Sequence, residues 1–271
     1  MSFLDQYEGA IRLGVFAGAL ALMIALEAAF PRKSRVSSRS RRWLTNGAFV
    51  LVDAVALRLA MPVLAVGMAA IAERNGWGLF NMLAAPSWAE IALAFVLLDM
   101  LIYAQHVATH RIPLLWRFHK VHHADRDIDA TTGVRFHPVE IVLSMAYKLV
   151  CVAALGAPVL AVFAFEVVLN AAALFNHANL RLPDRVDRAL RRLVVTPDMH
   201  RVHHSVYARE TDSNYGFFLS VWDYLFRTYT AQPRDGHDAM TIGLGEHQDD
   251  GPGRLGWSLW LPFRRIRQGG R

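Results

Sequence analysis

Residues 99–123 read DMLIYAQHVATHRIPLLWRFHKVHH. An apolar run that starts at Trp88 passes directly into histidines spaced by four, His106 and His110, and beyond Pro113 by three and four, His119, His122 and His123. Those spacings put the side chains of each group on one helical face, where neighbouring imidazoles converge on a metal. The stretch therefore reads as a membrane helix that ends in ligands. Asp99 lies seven residues before His106, two turns along the same face. A carboxylate inside a span is costly and marks function. It is expected to orient a ligating imidazole, the alternative being a pair with Arg58 of the neighbouring span.

Outward from this stretch, the 271 residues are 54% hydrophobic and only 19% charged, below the roughly 25% charge of soluble domains. Disorder is excluded, and the expected fold is all-α: one polytopic membrane domain over 1–271. Leu13 to Phe30, Gly47 to Ala72 and Trp88 to Val107 read as three spans. Val139 to Leu155 and Val159 to Asn176 are two further apolar runs, split by the breakers Gly156, Ala157 and Pro158. With about four or five membrane helices in all, the last two either cross fully or form a partial hairpin. Residues 1–98 are then N-terminal membrane helices, 99–226 a histidine-rich core and 227–271 a C-terminal tail, in which Trp257 to Arg267 mixes tryptophan, phenylalanine, Ile266 and arginine as an interfacial segment does.

Asp5 and Glu8 outweigh Arg12 ahead of the first span, which argues against a cleaved signal peptide. Arg32, Lys33, Arg35, Arg39, Arg41 and Arg42 crowd the connector behind it, placing that connector in the cytoplasm and the N-terminus outside. Threaded from there, the chain brings all the core histidines to the cytoplasmic face. The net charge of +6 sits largely in this block, which suits a membrane surface rather than nucleic acid. Cys151 is the only cysteine, so neither a disulfide framework nor a cysteine-ligated cluster can form. No glycine-rich phosphate loop stands in a strand–helix context.

Ten of the twelve histidines lie between 106 and 204, including a second HxxHH at His200, His203 and His204, a lone His177 at the end of the last apolar run, and His137. Ten imidazoles exceed what one tetrahedral ion uses, which points to two metals. Iron, zinc, copper and nickel all accept imidazole, so ligand type leaves the metal open. His137 stands between a further ligand and a partner of Glu140. Asp198 and Asp223 are candidates for orienting ligands. Asp125, Asp127 and Asp129, like His237 and His247, read as solvated loop residues.

Together the stretches DMLIYAQHVATH (99–110), WRFHKVHH (116–123), TGVRFHPVE (132–140), FNHANLRLP (175–183), TPDMHRVHH (196–204) and NYGFFLSVWDYLF (214–226) resemble the membrane-bound fatty acid hydroxylase and sterol desaturase superfamily. HPVE and HANLRLP look like its sterol desaturase branch. The resemblance implies a non-haem di-iron oxidoreductase that uses O2 to hydroxylate or desaturate a lipid. It carries the metal ligands onto His106, His110, His119, His122, His123, His177, His200, His203 and His204, and names no catalytic residue beyond them. Two Fe ions are the implied cofactor, with zinc a ready contaminant. Electrons would come from a separate donor, a ferredoxin or a cytochrome b5-like protein, for which Arg181, Arg185, Arg188, Arg191, Arg192 and Arg201 form a candidate docking face. Two other readings share the histidines: a membrane di-zinc hydrolase, and a metal-binding transporter, which would place its ligands near the membrane midplane rather than at one face.

Overall fold

A computed structural model describes residues 3–83 and 85–264. Among the described residues there are α-helices and short 3-10 turns but no strand, only three isolated bridge pairs. The elements that frame the bundle are α1 (Phe3–Ala29), α2 (Arg39–Ala60), α3 (Ala65–Asn75), α4 (Ser87–Arg111), α5 (Pro113–His123), α6 (Pro138–Leu155) and α7 (Val159–Asn176). Short helices follow: α8 (Asp184–Leu190), α9 (Pro197–His203), α10 (Ala208–Thr211), α11 (Val221–Leu225), α12 (Gly236–Ala239) and α13 (Leu255–Trp260). Five helical segments are long and apolar enough to cross a membrane.

The second of them is not the single helix that the run from Gly47 to Ala72 suggests. α2 stops at Ala60, residues 61–64 are irregular, and α3 starts at Ala65. Pro62 explains the break, since its ring removes one helical donor and pushes the preceding residue out of the helical region. α3 ends on Gly76 in the left-handed region and leads into the far end of the bundle. There Gly156, φ 61°, turns α6 into α7, as the breaker cluster implied. Gly78 packs on that tip so closely that a Cβ on it would stand 2.1 Å from the Gly156 nitrogen, and Leu79 N–H donates to Ala154 O at 3.0 Å. Glycine alone permits this backbone contact. α6 and α7 have 18 residues each, a rise of about 27 Å, close to the roughly 30 Å of bilayer hydrocarbon.

At the other end the five segments meet the loops that carry histidine. Between them the core packs Leu98, Ile102, Val152, Ala161 and Phe165. In the last turn of α1, Glu27 is buried and accepts the N–H groups of Ala130 and Asn179 at 2.7 and 2.9 Å. Near the start of α2, Arg42 is equally buried and reaches Asp125 through Nε at 2.6 Å and Nη2 at 2.7 Å, and Asp129 through Nη1 at 2.5 Å. The three aspartates are thus not a solvated loop: Asp125 and Asp129 clamp Arg42, and Asp127 accepts the N–H groups of Val36 and Ser37. A buried guanidinium needs carboxylates; the basic connector has found them in the loop behind the first HxxHH box.

The tail is partly interior. Leu261 is fully buried with Phe49 and Val121, while Trp260 and Phe263 are exposed. Arg265, Ile266 and Arg267 lie outside the described residues.

Candidate metal centre

α4 projects His106 and His110 from adjacent turns of one face, and α5, begun by Pro113 at its first position, returns His119, His122 and His123 beneath them. α7 ends with His177 at its C-cap, and α9, opened by Thr196 whose hydroxyl accepts the Met199 N–H, supplies His200 and His203 with His204 at its C-cap. All nine are buried. Their nitrogens fall into two groups, His106, His110, His119, His123 and His203 in one and His122, His177, His200 and His204 in the other, each with donor atoms within 4.8 Å of one another. The groups abut: the His123 and His204 rings stack with centroids 4.5 Å apart. Each HxxHH box is divided between them, a partition that the spacing alone does not reveal.

Hydrogen bonds fix five of the rings by Nδ1. His106 donates to Tyr215 O at 2.7 Å, His122 to Arg135 O at 3.2 Å, His177 to Ala173 O at 2.7 Å and His203 to Ser213 O at 2.7 Å, while His119 donates to Glu140 Oε1 at 2.6 Å. With Nδ1 the donor, a neutral ring presents only a lone pair at Nε2. Yet His122 Nε2 faces His177 Nε2 at 3.0 Å, His200 Nε2 faces the same atom at 3.1 Å, and His106 Nε2 faces His119 Nε2 at 3.2 Å. The Nε2 atoms of His110, His123, His203 and His204 have no hydrogen-bond partner at all. Lone pairs so opposed repel unless a cation lies between them. Two imidazoles on one ion at about 2.1 Å stand roughly 3.0–3.4 Å apart, which is the separation seen. The donor set therefore fits two metal ions.

Burial keeps six of these rings neutral. It pushes His122, His123, His200 and His204 well below the ordinary imidazole value, His203 to about 3 and His177 to about 4. Neutral imidazole is the ligating form. Gly133 lets the turn over residues 130–134 approach the site: a Cβ there would meet Ala173 O at 2.7 Å and His177 Nδ1 at 3.3 Å.

His137 stays outside both groups. Its Nε2 lies 3.2 Å from Leu259 O and its Nδ1 accepts the Val139 N–H, so it caps α6 and ties it to the tail. Nor does it bond Glu140, which serves His119. Asp99 orients no imidazole and does not meet Arg58; its Oδ2 accepts Trp222 Nε1 at 2.7 Å and Leu219 N at 3.2 Å. Asp223 accepts Tyr215 N and Gly216 N at 2.8 and 2.9 Å, so it steadies the residue whose carbonyl holds His106. Asp198 pairs with Arg201 and Arg32 rather than with a clustered histidine. His237 is buried near Asp198, not solvated. Nothing local in HPVE marks Glu140 for His119 rather than His137, and the carbonyl acceptors of residues 135, 173, 213 and 215 leave no mark in a sequence.

The sequence model of one protein family, described as "Fatty acid hydroxylase", matches residues 91–228, just over half of the chain and the whole of the histidine region. The chain belongs to the fatty acid hydroxylase family. Among curated proteins it is 28% identical to an ornithine lipid hydroxylase of Rhizobium tropici over 70% of this chain and 56% of that protein. It is 26% identical to the alkylglycerol monooxygenase of Homo sapiens, over 58% of this chain and 34% of that one. For the Danio rerio alkylglycerol monooxygenase the figures are 30%, 56% and 32%. The chain thus spans between a third and somewhat over half of the length of these relatives. No solved structure matches it.

Proposed function

We propose that this protein is a multi-pass membrane oxygenase that hydroxylates an unactivated C–H bond of a lipid, holding two iron ions on nine histidines. The observation that carries the reading is the set of opposed and unpartnered Nε2 atoms, nine in two abutting groups. His106, His110, His119, His123 and His203 would hold one ion, and His122, His177, His200 and His204 the other. Two iron ions supply dioxygen activation and the oxidising power that a C–H bond demands, with electrons from a separate donor.

The chain's own residues do the rest. Glu140 and four carbonyls aim five imidazoles by their Nδ1 protons, and that fixed aim keeps the ligand geometry through turnover. Buried rings, none of them open to solvent, keep water away from an oxidising centre. Of the six arginines of the candidate docking face, Arg191 and Arg201 are buried beside Asp187 and Asp198, which leaves four exposed, Arg181, paired with Asp238, and Arg185, Arg188 and Arg192 around α8, for an acidic partner. The basic residues between α1 and α2 support a cytoplasmic placement of the site.

Metal analysis of active protein should return about two irons per chain, and turnover under oxygen-18 gas with lipid extract, reductant and donor should place label in a product hydroxyl. One ion or none in active protein overturns the two-metal reading. Label from water, or turnover undiminished without oxygen and donor, would instead favour a di-zinc hydrolase.

A further inference from the structure

Two cavities meet beside the histidines. The inner one, about 160 Å³, lies between α4, α6 and α7, with His106 and His119 in its wall at one end and Lys148 and Asn170 at the other. Glu140 to Lys148 along α6 is eight residues, a rise of about 12 Å, so this chamber runs from the metal centre into the membrane-spanning bundle. The outer one, about 310 Å³, lies between α4, α5 and α6 and is walled by Ala104, Ala108, Leu115, Phe118 and Leu143. Leu143 is exposed on the outside of the bundle, so the outer cavity reaches the lipid-facing side.

Gln105 and Ser144 line both cavities and are joined by a hydrogen bond from Gln105 Nε2 to Ser144 Oγ at 2.7 Å. They are the partition. Gln105 Oε1 is buried without a partner and offers an acceptor there. Beyond Gln105, Thr109, Glu140 and Ser144, which both share, the two sides differ: the outer adds aliphatic side chains with Phe118 and Tyr147, whereas the inner adds Asn170 and Lys148 within a segment that lipid surrounds. Polar and charged side chains at such depth mark a ligand path. Lys148 has three donors and gives one to Glu166 Oε1 at 2.9 Å. Glu166 spends its other oxygen on Arg12 at 2.8 Å, which Glu8 also holds at 2.9 Å, so the pairing leaves Lys148 two further donors for the chamber.

We propose that the inner chamber binds the oxyanion head of a lipid, a carboxylate or a phosphate, at Lys148, while its apolar chain crosses the Gln105–Ser144 partition into the outer cavity. Such a lipid passes its chain rather than its head beside the histidines. The proposal rests on the lipid hydroxylase reading above and narrows its substrate class.

The test is photo-crosslinking of purified, metal-loaded protein in nanodiscs with sixteen-carbon monoacyl probes carrying a diazirine either next to the head or at the chain tip. Three heads are compared: a carboxylate, a phosphate and a neutral glycerol. The head-proximal diazirine of an oxyanion probe should label residues 144–148 or 170–173, and the tip diazirine residues 115–118 or 143. Lys148→Met should cut the head-proximal labelling at least tenfold, with Lys148→Arg restoring it, and the glycerol probe should label no better than that variant. The stronger of the two oxyanion arms identifies the head. Should Lys148→Met fail to insert, Asn170→Leu at the same end of the chamber should lower the same labelling severalfold. Reversed labelling, glycerol equal to the oxyanions, or labelling indifferent to Lys148 and Asn170 overturns the proposal. Iron content measured on the same samples separates the two readings: two irons with no head-selective labelling defeats this inference alone, and absence of iron defeats the oxygenase.

Discussion

At the scale of single residues, the ring nitrogens divide the labour cleanly: Nδ1 of five histidines is spent on the protein and Nε2 of all nine on the site. Replacing His122 or His203 by alanine should abolish turnover while membrane insertion, which depends on apolar spans, is unchanged; iron content and membrane fractionation check both. Glu140→Gln keeps the shape but weakens the hold on His119, and such outer partners cost about 10–100-fold in metal affinity when lost. Chelator competition measures that, and an affinity equal to wild type would remove Glu140 from the orienting role. His137→Gln should keep its full metal content, since His137 caps α6 and meets the Leu259 carbonyl instead. The histidines themselves were legible because ligand spacing on a helix is a local property. Their partners were not: Asp99, Asp198 and Asp223 had the right chemistry nearby in sequence, but which acceptor meets which ring depends on how distant segments pack.

At the scale of elements, the bundle is closed at both ends by contacts that local sequence states poorly. Span boundaries followed from hydropathy, and the α6–α7 tip from Gly156 and Pro158. The division of the second span at Pro62 could have been read from the proline itself and was outweighed by the apolar run around it. The clamp of Arg42 on Asp125 and Asp129 could not have been read, since its partners lie more than eighty residues away and each side looks like a solvated charge run. Removing one partner of a buried ion pair costs about 3–5 kcal/mol. Arg42→Met should therefore lower the melting temperature of the detergent-solubilised protein by several degrees and loosen the loop that follows His123, seen as faster backbone exchange over residues 125–132. Unchanged exchange there would show that the loop holds itself.

For the molecule as a whole, every span delivers one end to the same face, so the histidine cluster sits at one end of the bundle with the two cavities beside it. The orientation of that face is checked by single cysteines placed at exposed positions in a Cys151→Ala background. A cysteine at Arg188 should react with an impermeant thiol reagent only from the cytoplasmic side, and one at Asn75 only from the opposite side. Reaction of both from one side would break the threading of the chain.

The division of each HxxHH box between the two groups has a further consequence, for the order in which the centre fills. His122 and His123 are neighbours on one short helix yet fall in different groups, and so do His203 and His204 at the end of another. An ion that immobilises one member of a pair also fixes the backbone beneath the other, and the ordering cost of the second site is then already met. Loading should accordingly be cooperative: iron-free protein given one equivalent of ferrous ion should separate, in native mass spectrometry, into chains carrying two ions and chains carrying none.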